Sequence, residues 1–277
     1  MIASVPGDEA EDELAPGVRP FDTTVPSPAR IWNYWVGGKD NFAVDRAAGE
    51  RIAETIPNLP ALAKSVRVFL REIVHTLAAD HGIRQFLDIG TGLPTADNTH
   101  EVAQRSAPES RIVYTDYDPS VLAHARALLT STPQGRTNYV QADLRDTETM
   151  LKAAAATLDF TKPVAILLFA VLHFIQDDDD PYRIVAKLMA AAPSGTYLVI
   201  VHAPSDLFPS DAMAEHNRRY NNSGAEVMSP RNQEEVSRFF DGLELVPPGL
   251  ATLSDWLASS PFDTGSGQAW VGVGRKP

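Results

Sequence analysis

The chain has 277 residues, of which 44% are apolar, and a net charge of −12. That length suits one large α/β domain or two small ones, and that acidity removes any general affinity for polyanionic DNA or RNA. With no cysteine, disulfides, thiolate metal sites and a cysteine nucleophile are excluded, and a cytoplasmic enzyme is expected.

The N-terminus carries acids where a secretory signal needs a basic and then an apolar region. No apolar run approaches the roughly 18 residues of a membrane span. Residues 1–25, rich in proline and acid, are expected to form a disordered tail. Residues 26–277 are expected to form one domain, with an N-terminal cap and helix over 26–82 and a core over 83–277. Residues 30–42, RIWNYWVGGKDNF, concentrate aromatics ahead of that core. Their Gly-Gly-Lys invites a phosphate-loop reading, which fails. Asn33 stands where the first glycine is needed, and Asp40 where Ser or Thr is needed. IPNLP, from Ile56, reads as a turn. From Ala63 the apolar residues Val66, Phe69, Leu70, Ile73, Val74 and Leu77 recur at steps of three and four, the period of an amphipathic helix.

Strands and helices then alternate. Strands are predicted at QFLDIG (from Gln85), RIVYTD (from Arg111), Asn138–Gln141, PVAILLF (from Pro163) and TYLVIVHA (from Thr196). Helices are predicted at Asn98–Arg105, Pro119–Leu129, Glu148–Ala156 and Pro181–Ala192. This order implies right-handed crossovers and a mainly parallel sheet with helices on both faces. The excursion over 204–228 holds a polar helix from Pro209 to Asn222. Ser229-Pro230 is expected to cap a further helix to Phe240. LELV (from Leu243) and AWVGVG (from Ala269) are expected to close the sheet as a hairpin with one antiparallel strand.

Ligands of open α/β sheets sit beyond the carboxyl ends of the strands. After the first strand, DIGTGLPT offers Gly90 and Gly92 for a sharp turn and close backbone approach. Thr95, preceded by Pro94, stands where a dinucleotide fingerprint needs a third small residue. After the second strand, Asp116 is placed for the two hydroxyls of a ribose and Tyr117 for an adenine face. Asp118 ahead of Pro119 is placed to cap the next helix and is counted with the ligand set. After the third strand, Asp143 either accepts from an adenine amino group or caps a helix.

These features together resemble an actinobacterial family of S-adenosyl methyltransferases, within class I of the S-adenosylmethionine-dependent enzymes. The resemblance rests on FLDIGTGLPTADNTHEVAQ, VYTDYDPSVLAHARALL, QADLRD and AVLHFIQDDDDP. SPARIWNYWVGGKDNFAVDRA and SPRNQEEVSRFFDGLELVPPGL extend it from about residue 26 to the C-terminus. It implies a Rossmann-like sheet of seven strands, the last antiparallel. It places Asp88, Gly90, Thr91 and Gly92 at the methionine end of S-adenosylmethionine, Asp143 with Leu144 at the adenine edge, and Ala170 and Val171 beside the methyl group. Pro94 departs from the glycine that the class prefers. Arg67 matches a family arginine, whereas Val66 stands where asparagine is expected.

Methyl transfer needs position and orientation above all. His173, just past the fourth strand, is the candidate general base, with His202 after the fifth strand behind it. Asp177 to Asp180 are read as favourable charge at a helix N-terminus rather than as a metal site. Met213, His216, Arg219 and Tyr220 in the excursion are expected to form a substrate lid, or alternatively to pack on the sheet. The aromatic segment is expected either to anchor itself on the sheet's outer helices or to act as a flap in which Trp32, Tyr34 and Trp35 exclude water. Tyr34 would turn its π-face to the sulfonium and Lys39 would reach the cofactor carboxylate. A small-molecule acceptor is favoured: AVLHF is not the Asn/Asp-Pro-Pro-aromatic tip of DNA adenine methylation. Two alternatives stand beside this one, a non-catalytic S-adenosylmethionine-binding regulator and an NAD(P)-dependent oxidoreductase. The glycine pattern disfavours the second.

Overall fold

The computed structural model describes residues 22–56, 58–128, 130–261 and 268–277. The expected acidic tail lies, up to residue 21, outside the described residues. Among the described residues three helices precede the sheet: α1 (Pro28–Trp35), α2 (Ala43–Ala53) and α3 (Leu59–Ala79). The last begins inside the expected turn, because Pro60 sits in its first turn, where a missing N–H costs nothing.

The alternating region follows as β1 (Gln85–Ile89), α4 (Thr99–Ser106), β2 (Arg111–Asp116), α5 (Pro119–Leu128) and β3 (Arg136–Gln141). It continues through α6 (Thr147–Ala154), β4 (Ala165–Phe169), α7 (Pro181–Ala190) and β5 (Tyr197–His202). After α8 (Ser210–Asn221) and α9 (Gln233–Ser237) come β6 (Glu244–Leu245), β7 (Ala251–Thr252), α10 (Leu253–Leu257) and β8 (Trp270–Arg275). The sheet order is β3-β2-β1-β4-β5-β8-β6, with β7 also on β8. The first five strands are parallel, and β8 runs antiparallel to β5, β6 and β7. Among the described residues seven positions thus hold eight strands. The edge position beside β8 is split into two short pieces around Pro247 and Pro248, which have no N–H to donate to a ladder.

Side chains alternate across each strand and build two cores. Phe86, Ile112, Leu167 and Val199 pack under α3, α4 and α10. Leu87, Val113, Ile166 and Ile200 pack under α6, α7 and α9. A third apolar cluster belongs to neither face. It joins Ile31 and Trp35 of α1, Ile52 of α2 and Leu59 of α3 to Met213 and Tyr220 of α8. The N-terminal segment and the later excursion therefore form one helical canopy.

Two expected boundaries move for local reasons. The helix after Ser229-Pro230 starts only at Gln233. Asn232 and Glu235 make a reciprocal capping box there, at 2.9 and 2.7 Å. Arg231 instead pairs its backbone with Ala203 and Ser205, which holds 229–231 extended. β3 begins at Arg136, two residues before the expected start, because its partner β2 offers a ladder from Arg111.

Candidate functional site

Sheet order reverses between β1 and β4, and a crevice beyond the strand ends is expected there. Gly90 follows β1 with φ of 69°, and a Cβ added to it would stand 2.5 Å from Cγ2 of Val171, which follows β4. Only glycine lets the two strand tips approach so closely. Gly92 also has positive φ, 64°, but a Cβ there would meet nothing within 4 Å. Ala170, at the β4 tip, holds φ of 55° although it is not glycine. Such backbone strain persists only where the surroundings enforce it, and here the Ala170 N–H is held by the Val201 carbonyl at 2.8 Å.

A cavity of about 190 Å³ opens over these tips. One water requires about 10–15 Å³ on the same measure, so the space suits an organic molecule. Its lining includes Asp88, Gly90, Thr91, Gly92, Asp116, Tyr117, Asp118, Ala170, Val171 and His173. Met213, His216 and Tyr220 close it from α8, and Trp32 and Trp35 from α1.

Asp116 is buried, with Oδ2 accepting from the Gly92 N–H at 2.9 Å and Oδ1 from the Asp118 N–H at 3.0 Å. Burial pushes its carboxyl up to about 6, against the opposing pull of those N–H groups. Asp88 is also raised by burial, an effect opposed by the Thr99 hydroxyl at 2.6 Å and by the nearby Arg67. Arg67 lines the cavity and donates to the carbonyls of Ala96 and Asp97. Asp118 has both oxygens engaged. Oδ1 accepts from Ser120 N–H and hydroxyl, capping α5, and Oδ2 accepts from the Ser27 hydroxyl at 2.7 Å. Tyr117 donates to Glu226, another cavity residue, at 3.0 Å.

His173 stands on a 3₁₀ turn after β4, buried, with its ring 5.7 Å from that of His202. Its Nδ1 is buried and has no hydrogen-bond partner among the described residues. Burial holds its pKa well below the usual histidine value, and the nearby His202 and Arg231 add to that. His202 donates from Nδ1 to the Ala203 carbonyl at 2.8 Å and accepts at Nε2 from Arg231 at 3.3 Å; burial lowers it to about 3. His216 is lowered to about 4 by burial. Its Nδ1 lies 2.9 Å from the Thr55 hydroxyl, whose own hydrogen goes to the Ile52 carbonyl, so the imidazole donates.

Five residues named from sequence do not line this cavity. Tyr34 donates to Glu50 of α2 at 3.0 Å. α1 is helical, so Trp32 and Trp35, three apart, share the cavity face, while Tyr34 points to another side. The two tryptophans thus line the cavity where Tyr34 was expected. Lys39 is exposed and lines a separate pocket with Arg30, Asn41 and His124. The turn at Gly37, φ 87°, carries it away from the strand tips. Asp143 accepts from the backbone and the guanidinium of Arg145, both at 2.9 Å. Leu144 is buried in the second core. Arg219 stands at the edge of the Met213–His216–Tyr220 face and pairs with Glu54, the residue just after α2, at 2.6 Å.

Other residues carry the site without having been singled out. Arg231, 3% exposed, donates to the carbonyls of Leu172 (3.1 Å) and Ile175 (2.9 Å) and to Asp177 (2.7 Å) as well as to His202. It thereby fixes the turn that carries His173. Asp177, Asp179 and Asp180 are engaged by Arg231, Arg145 and Arg183 respectively. Among the described residues no group of three or more His, Cys, Asp or Glu is placed to hold a metal, and no helix is long and apolar enough to cross a membrane.

A family model described as S-adenosyl methyltransferase matches residues 15–277. A DUF574 family protein from Streptomyces avermitilis shares 40% identity over 92% of this chain and 99% of its own, with a TM-score of 0.87. A protein from Thermobifida fusca, provisionally assigned as a methyltransferase, shares 37% over 92% and 96%, with a TM-score of 0.84. Magnesium protoporphyrin IX methyltransferase from Synechocystis, with S-adenosylmethionine bound, is 11% identical over 89% and 90% at a TM-score of 0.52, a likeness of fold alone. No curated protein sequence matches.

Proposed function

This chain belongs to the S-adenosyl methyltransferase family, and from that premise we propose how its residues divide the work. It is an S-adenosylmethionine-dependent methyltransferase. When bound, S-adenosylmethionine supplies a methyl group on a sulfonium, open to in-line displacement by a nucleophile.

The residues present fit that molecule. A carboxylate has about four acceptor positions. Asp116 accepts from the Gly92 and Asp118 N–H groups, and the Tyr117 N–H also pulls on it, so acceptor capacity remains for a ribose hydroxyl. The open space at Gly92 leaves room for the ligand beside them. This pairing of an under-used buried carboxylate with a vacant glycine face, at the point where sheet order reverses, is the observation that carries the assignment. Tyr117, steadied by Glu226, lies against the adenine. Asp88, Gly90, Thr91 and Gly92 receive the methionine end, with Arg67 as the cation for its carboxylate in place of Lys39. Asp143 acts through Arg145, which also approaches Glu226 at 3.7 Å, and Leu144 shapes the floor behind it. Asp118 caps α5 and holds the canopy through Ser27.

Ala170 and Val171 flank the methyl group. His173 faces the acceptor and is the candidate base. Met213, His216 and Tyr220 form the lid face, and Arg219 fastens it to α2. A cavity that continues past the β4 tip to His173 favours transfer over a purely regulatory binder. Its enclosure by the canopy favours a small-molecule acceptor over nucleic acid. The absence of cysteine fits a cytoplasmic location, and the Streptomyces and Thermobifida relatives fit an actinobacterial source. Titration with S-adenosylhomocysteine, in the native protein and in Asp116→Ala, tests the cofactor assignment.

A further inference from the structure

We infer that the acceptor is an aromatic molecule that bears a hydroxyl group and no anionic group, held by ring stacking under the canopy and by a hydrogen bond to His173. This rests on the methyltransferase assignment above and names the substrate class of the same site.

The walls argue for an aromatic. Trp32, Phe169, Phe174, Phe208, Met213 and Tyr220 all line the cavity. Phe174 lies 4.4 Å from the His173 ring and 6.0 Å from Tyr220, spacings at which aromatic rings attract each other beyond simple burial. Charge argues against an anion. Arg67 is the one Lys or Arg side chain among the described residues that line the cavity, and it sits beside Asp88 at the opposite strand tip. A carboxylate or phosphate entering near His173 would lose its water and find no cation on the cavity wall there, because Arg231 behind His202 is committed to the Leu172 and Ile175 carbonyls and to Asp177, which is costly. His173 offers no compensation, because burial beside His202 and Arg231 keeps it neutral.

The hydroxyl follows from the unsatisfied imidazole. A buried polar atom without a partner is costly, and Nδ1 of His173 is such an atom. A neutral imidazole keeps a lone pair on one ring nitrogen to accept from an O–H. In the transfer the hydroxyl oxygen bonds to the methyl carbon, and the carbon–sulfur bond breaks with its electron pair left on sulfur. The hydroxyl proton passes to the imidazole. Positive charge moves from sulfur to His173, so the cavity's net charge is unchanged, and protonation becomes easier once the sulfonium is gone.

Calorimetry and tryptophan fluorescence on protein saturated with S-adenosylhomocysteine test this. The probes are 2-naphthol, its methyl ether and 6-hydroxy-2-naphthoate. The expected order is 2-naphthol tightest, by at least about tenfold over both others, the equivalent of one buried hydrogen bond. Its affinity should stay flat across about pH 6–8, where a free histidine would titrate. His173→Phe should erase the preference over the methyl ether while S-adenosylhomocysteine still binds. Failure of S-adenosylhomocysteine to bind would remove the cofactor assignment itself. Saturation with it, followed by no naphthol binding or by equal or tighter naphthoate binding, would overturn the acceptor class alone. The native-protein comparison decides this even if the variant does not fold.

Discussion

Ser27 and Asp118, 91 positions apart in the chain, share a buried hydrogen bond of 2.7 Å from the serine hydroxyl to Oδ2. It ties the start of the canopy to the loop after β2, and the same aspartate caps α5 through its other oxygen. Beside it, Asp45 accepts from the Ser27 N–H at 3.0 Å and from Arg30 at 2.9 Å, in an ion pair almost fully shielded from water. The aromatic segment is thus held by the Arg30–Asp45 pair, while its Trp32 and Trp35 line the cavity.

Ser27→Ala should loosen that cover. Removal of a hydrogen bond to a buried carboxylate costs about 1.5–3 kcal/mol, so amide exchange across α1 should accelerate by roughly tenfold or more. Hydrogen-exchange mass spectrometry reads this directly. Unchanged exchange in α1 would show that the Ser27–Asp118 bond does not hold the segment closed.

Asp116→Ala should weaken S-adenosylhomocysteine binding by about 1.5–3 kcal/mol, the range for hydrogen bonds to a charged group. Ribose hydroxyls donate, so they favour the ionised carboxylate. With the free-protein carboxyl raised to about 6, native affinity should be full above that value and fall as pH drops through it. The Ala variant should lose this dependence. Titrations at several pH values check both statements, and a native profile as flat as the variant's would detach Asp116 from the ligand.

Gly90→Ala should be destabilising by roughly 1–3 kcal/mol, from positive φ and from the clash with Val171. Val171→Ala removes the nearer contact but leaves Cβ, at 2.7 Å, so the double variant should recover only part of the loss. Thermal unfolding of the four proteins completes the cycle. An undisturbed Gly90→Ala protein would contradict the close approach of the two strand tips.

Arg231→Met should act on the acceptor side. It leaves carbonyls of the His173 turn with fewer donors, a cost of about 1.5–3 kcal/mol or more. It also removes a positive charge that depresses both His173 and His202, so both imidazoles should titrate at higher pH than in the native protein. NMR titration of the ring protons measures the direction. A fall in either value would contradict the electrostatic arrangement described.

The strand tips were legible in the sequence because they obey local rules. Gly90 and Gly92 announce a turn, and Asp116 ends an apolar run facing the crevice that α/β order demands. The helical canopy was less so. That Trp32 and Trp35 face the cavity while Tyr34 does not depends on where α1 starts, and the aromatic cluster alone does not fix that phase. Lys39 was misplaced for a similar reason, since Gly37 turns the chain away. Arg231 lay in a recognised stretch, but its role depends on carbonyls of Leu172 and Ile175 brought beside it only by the fold. Ser27 and Asp118 likewise meet across 91 positions, a pairing that no periodicity reports.

The central claim is that the crevice between β1 and β4 is an adenosine-sulfonium site. Isothermal titration of the native protein with S-adenosylmethionine, S-adenosylhomocysteine and NAD tests it most directly. Saturable binding of both sulfur nucleosides, with NAD silent, is the predicted result. Binding of NAD with neither sulfur nucleoside would contradict it.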